Sequence, residues 1–181
     1  MRTNKLISVL LVLVIVTSAL CSCSAENDRC TKPFDTMLKG LINCDTEMYK
    51  NAFSSDYASH LDTFFYSYGA LAGTATSFDG FVTEKLTEIN ANLKDNYGEN
   101  ITAKQSNCVV SDVDKDSLTQ YIDYYDPTYN IPVDSITEVK TVTAYLTVKG
   151  SENKYYGYVT YTVYLIEDVW YLHPNMLFYT V

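Results

Sequence analysis

The spacing of hydrophobic positions changes along this chain, and each change marks a different kind of element. Residues 6–16 are apolar at every position except Ser8. From Lys32 the spacing is helical. Phe34, Met37, Leu38, Leu41 and Ile42 recur at i, i+3, i+4, i+7 and i+8, one face of an amphipathic helix with Pro33 in its first turn. Asn43-Cys44-Asp45 interrupts it, and Asp45 is placed to cap a second, short helix carrying Met48, Tyr49, Ala52 and Phe53. Tyr57, Leu61, Phe64, Phe65 and Tyr68 repeat the spacing more loosely. A longer helix is predicted over residues 79–96, with Val82, Leu86, Ile89 and Leu93 inward and Gly98 as its left-handed stop. Residues 101–113 read as a strand of mixed polarity. Ser117-Leu118-Thr119-Gln120 reads as a capping box opening a short helix, with Leu118, Tyr121, Ile122 and Tyr125 inward.

Past Ile136 the period becomes two. Val142, Ala144, Leu146 and Val148 alternate with Thr141, Thr143, Tyr145 and Thr147. After a turn at Gly150–Asn153, Val159, Tyr161, Val163 and Leu165 alternate with Tyr158, Thr160, Thr162 and Tyr164. Glu167-Asp168 makes a second turn, and a third strand starts at Val169. This pattern predicts an antiparallel meander with one buried face, and parity assigns Tyr156, Tyr158 and Tyr164 to the other. Helices first and sheet last predict an α+β fold, with the helices packed on one face of the sheet.

The chain has 181 residues, 47% of them hydrophobic, and a formal charge of -9. It is long enough to bury a core without a metal or disulfide staple. Acids spread along its length argue against nucleic acid as a partner, which calls for a basic patch.

Arg2 and Lys5 stand before the first apolar run and no acid precedes Glu26, the pattern of a signal peptide. The run is shorter than the ~20 residues that cross a bilayer. Leu20-Cys21-Ser22-Cys23 resembles a bacterial lipobox. That resemblance implies cleavage after Ser22 and a lipidated Cys23 bearing palmitate. The organisation expected is a signal peptide over 1–22, a lipid-anchored tether over 23–31, and a single α+β domain over 32–181. Such a protein sits at the cell membrane on its extracytoplasmic face and meets the bilayer through its lipid alone. Cys30, Cys44 and Cys108 then remain, an odd number that allows at most one disulfide and does not select a pair.

The order of these pieces resembles the nuclear-transport-factor-2-like superfamily, and within it the extracytoplasmic lipoproteins of Gram-positive bacteria. Four pieces carry the likeness: the broken helix pair over 37–53 with Asp45 at the break; Asn96-Tyr97-Gly98-Glu99-Asn100 leading into a strand; Leu118–Tyr125 followed by Tyr129-Asn130-Ile131; and the terminal hairpins. The run Glu167-Asp168-Val169-Trp170-Tyr171-Leu172 matches the closing pattern of the family, with Val169 in place of a polar residue. The resemblance implies a cone-shaped fold with a pocket between sheet and helices. The superfamily holds enzymes, ligand-binding domains and interaction modules, so fold alone does not assign a function.

Tyr161, Trp170 and His173 are the candidates for lining that pocket, while His60 sits among polar neighbours and reads as a surface residue. Asp112, Asp114, Asp116 and Asp123 are spaced like a calcium loop, but Ser117 stands where the sharp turn needs Gly, and Asp123 where a bidentate Glu belongs. Acids at a helix start explain them better, and no metal or other cofactor is expected. Ser151-Glu152-Asn153-Lys154 matches Ser-x-x-Lys but falls in a hairpin turn. No His lies near Cys44 or Cys108 in sequence, so both read as inert core thiols. The apolar face of the strands, over Val142–Val148 and Val159–Leu165, carries no inward carboxylate or His, which favours a non-enzymatic binding module. A small-molecule enzyme with an acid/base group in the cone is the alternative, and a homodimer through the sheet a third reading. The outward tyrosines are either cross-strand pairs that stabilise the sheet or a surface for a protein or glycan.

Overall fold

The computed structural model describes residues 27–59, 61–62, 77–114, 116 and 135–177. The first helix, α1, spans residues 27–43. It starts ahead of Pro33, so residues 27–31 of the expected tether belong to the helix, and the Cys30 side chain is fully buried. Cys44 takes a left-handed φ of 52° and breaks the helix. Asp45 then caps α2, Thr46–Lys50, its carboxylate accepting from the Met48 amide at 2.9 Å. A helical turn, α3, covers residues 55–59, and α4 runs from Phe78 to Tyr97 with Ser77 as its N-cap.

The sheet is antiparallel and open, in the order β1-β2-β3-β4: Thr102–Asp112, Ile136–Lys149, Lys154–Ile166 and Val169–Leu172. Glu167 and Asp168 join the last two strands with φ of 48° and 64°. Both are left-handed, as the twist of a two-residue hairpin requires. The α+β architecture predicted from the period change is present.

Residues paired across an antiparallel ladder share a face, so register assigns the two sides. Val142 opposite Tyr161, Ala144 opposite Val159 and Leu146 beside Gln105 form the inner face. On it Phe34 of α1 stacks flat against Tyr161, ring centroids 4.4 Å apart. Phe34, Met37, Leu38 and Leu41, all essentially buried, close the core from the helix side, as their spacing predicts.

Parity fails at one place. Tyr164 points away from Tyr161 and was expected outside, yet it is only 1% exposed. It packs against Tyr171 and His173, and its buried hydroxyl has no hydrogen-bond partner among the described residues. The backbone after α2 also closes the β4 edge, with the Leu172 amide donating to the Ala52 carbonyl at 2.8 Å. The opposite edge, β1, is interrupted by a bulge between Ser106 and Val109, where Asn107 has φ 51°. Such breaks blunt an open edge against pairing.

A clamp joins α4 to the β2–β3 turn. Gly98 leaves the helix at φ 79°, a conformation open to glycine. Ser151 and Glu152 then donate their amides to the carbonyls of Glu99 and Tyr97 at 2.8 and 3.0 Å. The Glu99 amide returns a bond to Ser151 Oγ at 2.9 Å. Gly150 lies so close beneath that a Cβ there would overlap the Tyr97 carbonyl oxygen.

Candidate functional site

Polar groups meet at the half-buried margin of the core, where α1 crosses β1. The Tyr161 hydroxyl donates to Gln105 Oε1 at 2.7 Å, and Gln105 Nε2 donates to the Thr31 carbonyl at 2.9 Å. The β1 bulge turns Cys108 inward, its thiol 3.6 Å from the same Gln105 oxygen. Burial pushes the Tyr161 hydroxyl well above its ordinary pKa of 10.0, helped by neighbouring Cys108 and Asp35. Burial likewise lifts Cys108, with Asp35 and Asp28 adding to it. Asp35 is raised above 3.8 by burial, against the opposing pull of Gln105 and Lys39. A thiol and a phenol held protonated in this way are neither nucleophiles nor bases. Gln105 is the junction of the cluster, binding helix and sheet together.

The three residues proposed for the cone pocket do not converge. Tyr161 is covered by Phe34. Trp170 shares the inner side, opposite Leu165, with the Lys140 ammonium 5.5 Å from its ring centre. Lys140 is itself held by Asp112 and Glu138, each at 3.6 Å. Beside Trp170 opens a shallow cleft of about 210 Å³ bordered by Arg29, Lys32, Thr36 and Asp168. His173 faces the opposite side of the sheet, edge-on to Tyr164, with Nδ1 accepting from the Asn175 amide at 3.1 Å. Burial holds its imidazole below the ordinary 6.5. It caps a turn of 3-10 helix, Pro174–Met176, and lines no pocket with Tyr161.

The outer face of the sheet is of another character. Tyr158 is 76% exposed and Tyr156 52%. Tyr145 meets Tyr158 edge-on at 5.3 Å and lies nearly parallel to Tyr156 at 6.2 Å. Thr143 and Thr160 share a hydroxyl–hydroxyl bond of 3.1 Å in the next row. Above the tyrosines the register places Lys104 beside Thr147 and Lys149 directly opposite Lys154. From the row Ser111–Thr141–Thr162 to the row Thr102–Lys149–Lys154, no position on this face is Asp or Glu. In a chain with 22 acids, that vacancy sets the face apart.

Among the described residues no group of His, Cys, Asp and Glu is arranged to hold a metal, and Asp112 is spent on Lys140. Asp114 accepts from the Asp116 amide at 3.1 Å, a local turn. Cys44 is exposed at the α1–α2 break and not in the core; Cys30 is the buried thiol. No helix among the described residues is long and apolar enough to cross a membrane. Cys23, His60, Asp123 and the segments around Phe64–Tyr68, Ser117–Tyr125 and Tyr129–Ile131 lie outside the described residues. No family model, curated protein or solved structure matches this chain. The pocket candidates were legible as residues, but the cluster around Gln105 was not, because Gln105 reaches Thr31 across 74 positions of sequence.

Proposed function

We propose that this chain is a lipid-anchored, extracytoplasmic binding module, attached through Cys23 and non-enzymatic, whose contact surface is the outer face of the sheet. The observation that carries this reading is the aromatic cluster of half-buried Tyr145 with exposed Tyr156 and Tyr158 on a face without acids. Exposed aromatic groups of this kind mark contact sites, because Tyr offers a broad amphipathic surface at small entropic cost. An enzyme of the cone type needs an ionisable group in an open cavity. Here the space over Tyr161 is taken by Phe34, and the raised Asp35 carboxyl sits against Gln105. The fold class expected here is that of the nuclear-transport-factor-2-like superfamily, and the lipoprotein class within it rests on the Leu20–Cys23 motif.

The test is photo-crosslinking in intact cells. A chain carrying p-benzoylphenylalanine in place of Tyr158 is expected to form envelope adducts. The same substitution at Glu84, exposed on α4, is expected to form none. Equal adducts at both positions, or none at Tyr158, would sink the reading. Palmitate labelling that disappears in Cys23→Ala checks the anchor separately.

A further inference from the structure

The outer sheet face combines three chemistries. Tyr145, Tyr156 and Tyr158 present aromatic rings. Thr and Ser hydroxyls fill the rows on either side. Lys104, Lys149 and Lys154 stand at the β2–β3 end, and none of them makes an ion pair with any described residue. By contrast Lys50, Lys85, Lys94 and Lys140 are each paired with a carboxylate.

Placing Lys149 directly across from Lys154 costs stability, since like charges at facing positions of a ladder repel. The chain has acids in excess, yet none of the described strand positions on this face supplies one to relieve that repulsion. A cationic row left open beside exposed rings is complementary to a ligand that is itself anionic and carries flat ring surfaces. Hydroxyl rows add donors and acceptors for a ligand rich in hydroxyl groups. An anionic polysaccharide has all three features: sugar rings to lie on the tyrosines, hydroxyls for the threonines, and carboxylate or phosphate groups for the lysines. A second copy of this acid-free face would instead bring lysine against lysine.

We propose that the outer face of β1–β3 binds an anionic polysaccharide, with sugars on Tyr145, Tyr156 and Tyr158 and acid groups on Lys104, Lys149 and Lys154. This rests on the binding-module reading and names its ligand class.

The experiment uses the full lipidated chain in detergent micelles and four immobilised polymers. Hyaluronate and a glucosylated poly(glycerol phosphate) are anionic glycans, dextran is a neutral glycan, and polyphosphate is an anion without sugar. At least one anionic glycan is expected to bind about ten-fold or more tightly than both dextran and polyphosphate, with binding that weakens as salt rises. Tyr158→Ala is expected to reduce it by about ten-fold, the scale of one aromatic stacking contact. Lys149→Gln with Lys154→Gln should flatten the salt dependence while far-UV circular dichroism stays unchanged. Equal binding of polyphosphate, unaffected by Tyr158→Ala, would show a bare cationic patch and overturn the proposal. So would equal binding of dextran, failure of both anionic glycans, or a concentration-dependent dimer lost in Tyr158→Ala. Adducts at Tyr158 in cells without glycan binding would overturn the ligand class and leave the module; absence of both would remove both.

Discussion

β3 carries an aromatic contact on each of its faces, to opposite ends. Inside, Tyr161 lies flat under Phe34 with no solvent contact worth the name, its hydroxyl bonded to Gln105. Outside, half-buried Tyr145 and exposed Tyr158 meet edge-on at 5.3 Å. The inner pair removes a large apolar area from water and shares it with α1, so it holds two layers together. The outer pair lies within one layer and leaves most of the Tyr158 ring wet. Contact geometry alone therefore does not rank the two; burial does.

The largest test of that difference is Phe34→Ala, which leaves Tyr161 facing a cavity. It is expected to lower unfolding free energy by about 3–5 kcal/mol in urea titrations. Tyr158→Ala should cost about 0.2–1 kcal/mol in the same assay. Equal losses would erase the distinction between the faces.

Gly150→Ala comes next. Its added methyl group meets the Tyr97 carbonyl, and separating α4 from the hairpin is expected to cost about 1–3 kcal/mol. Faster amide exchange at Ser151 and Glu152 would localise the damage to the clamp.

A smaller effect separates Tyr164's surroundings from Tyr161's. His173 is held below 6.5 when folded, so the unfolded chain binds its proton more readily. Its contribution is fully present above pH 6.5 and is lost as pH falls toward the folded value. His173→Gln is expected to flatten the decline of the urea midpoint below about pH 6.5. Asp35 runs the other way: raised above 3.8, it contributes most in acid, and that share fades as pH rises through its folded value.

Much of this arrangement could be read from the chain. Period-two alternation located β2 and β3, and parity placed Tyr161, Tyr156 and Tyr158 on their observed faces. Asp45 as a cap and Gly98 as a stop were visible because each acts on its immediate neighbours. The start of α1 was hidden, since residues 27–31 include a single apolar side chain, Cys30, and one residue carries no period. Tyr164 broke the parity rule because its cover comes from the segment after α2, more than a hundred positions earlier. The bulge that aims Cys108 inward depends on a left-handed Asn107, which no hydrophobic pattern encodes. The acid-free face was legible only once register aligned Lys104 with Thr147 and Lys149 with Lys154.

The clamp at Gly98 also sets an order in time. A helix end is ordinarily finished by residues that follow within a turn or two. Here the carbonyls of Tyr97 and Glu99 wait for the amides of residues 151–153, and Ser151 lies 52 positions after Glu99. Until those amides dock, the helix stands with that end open. An isolated helix of this length is marginal in water. Newly made α4 is therefore a fraying segment until the hairpin tip arrives, and the tip acts as the late latch on a helix made long before it.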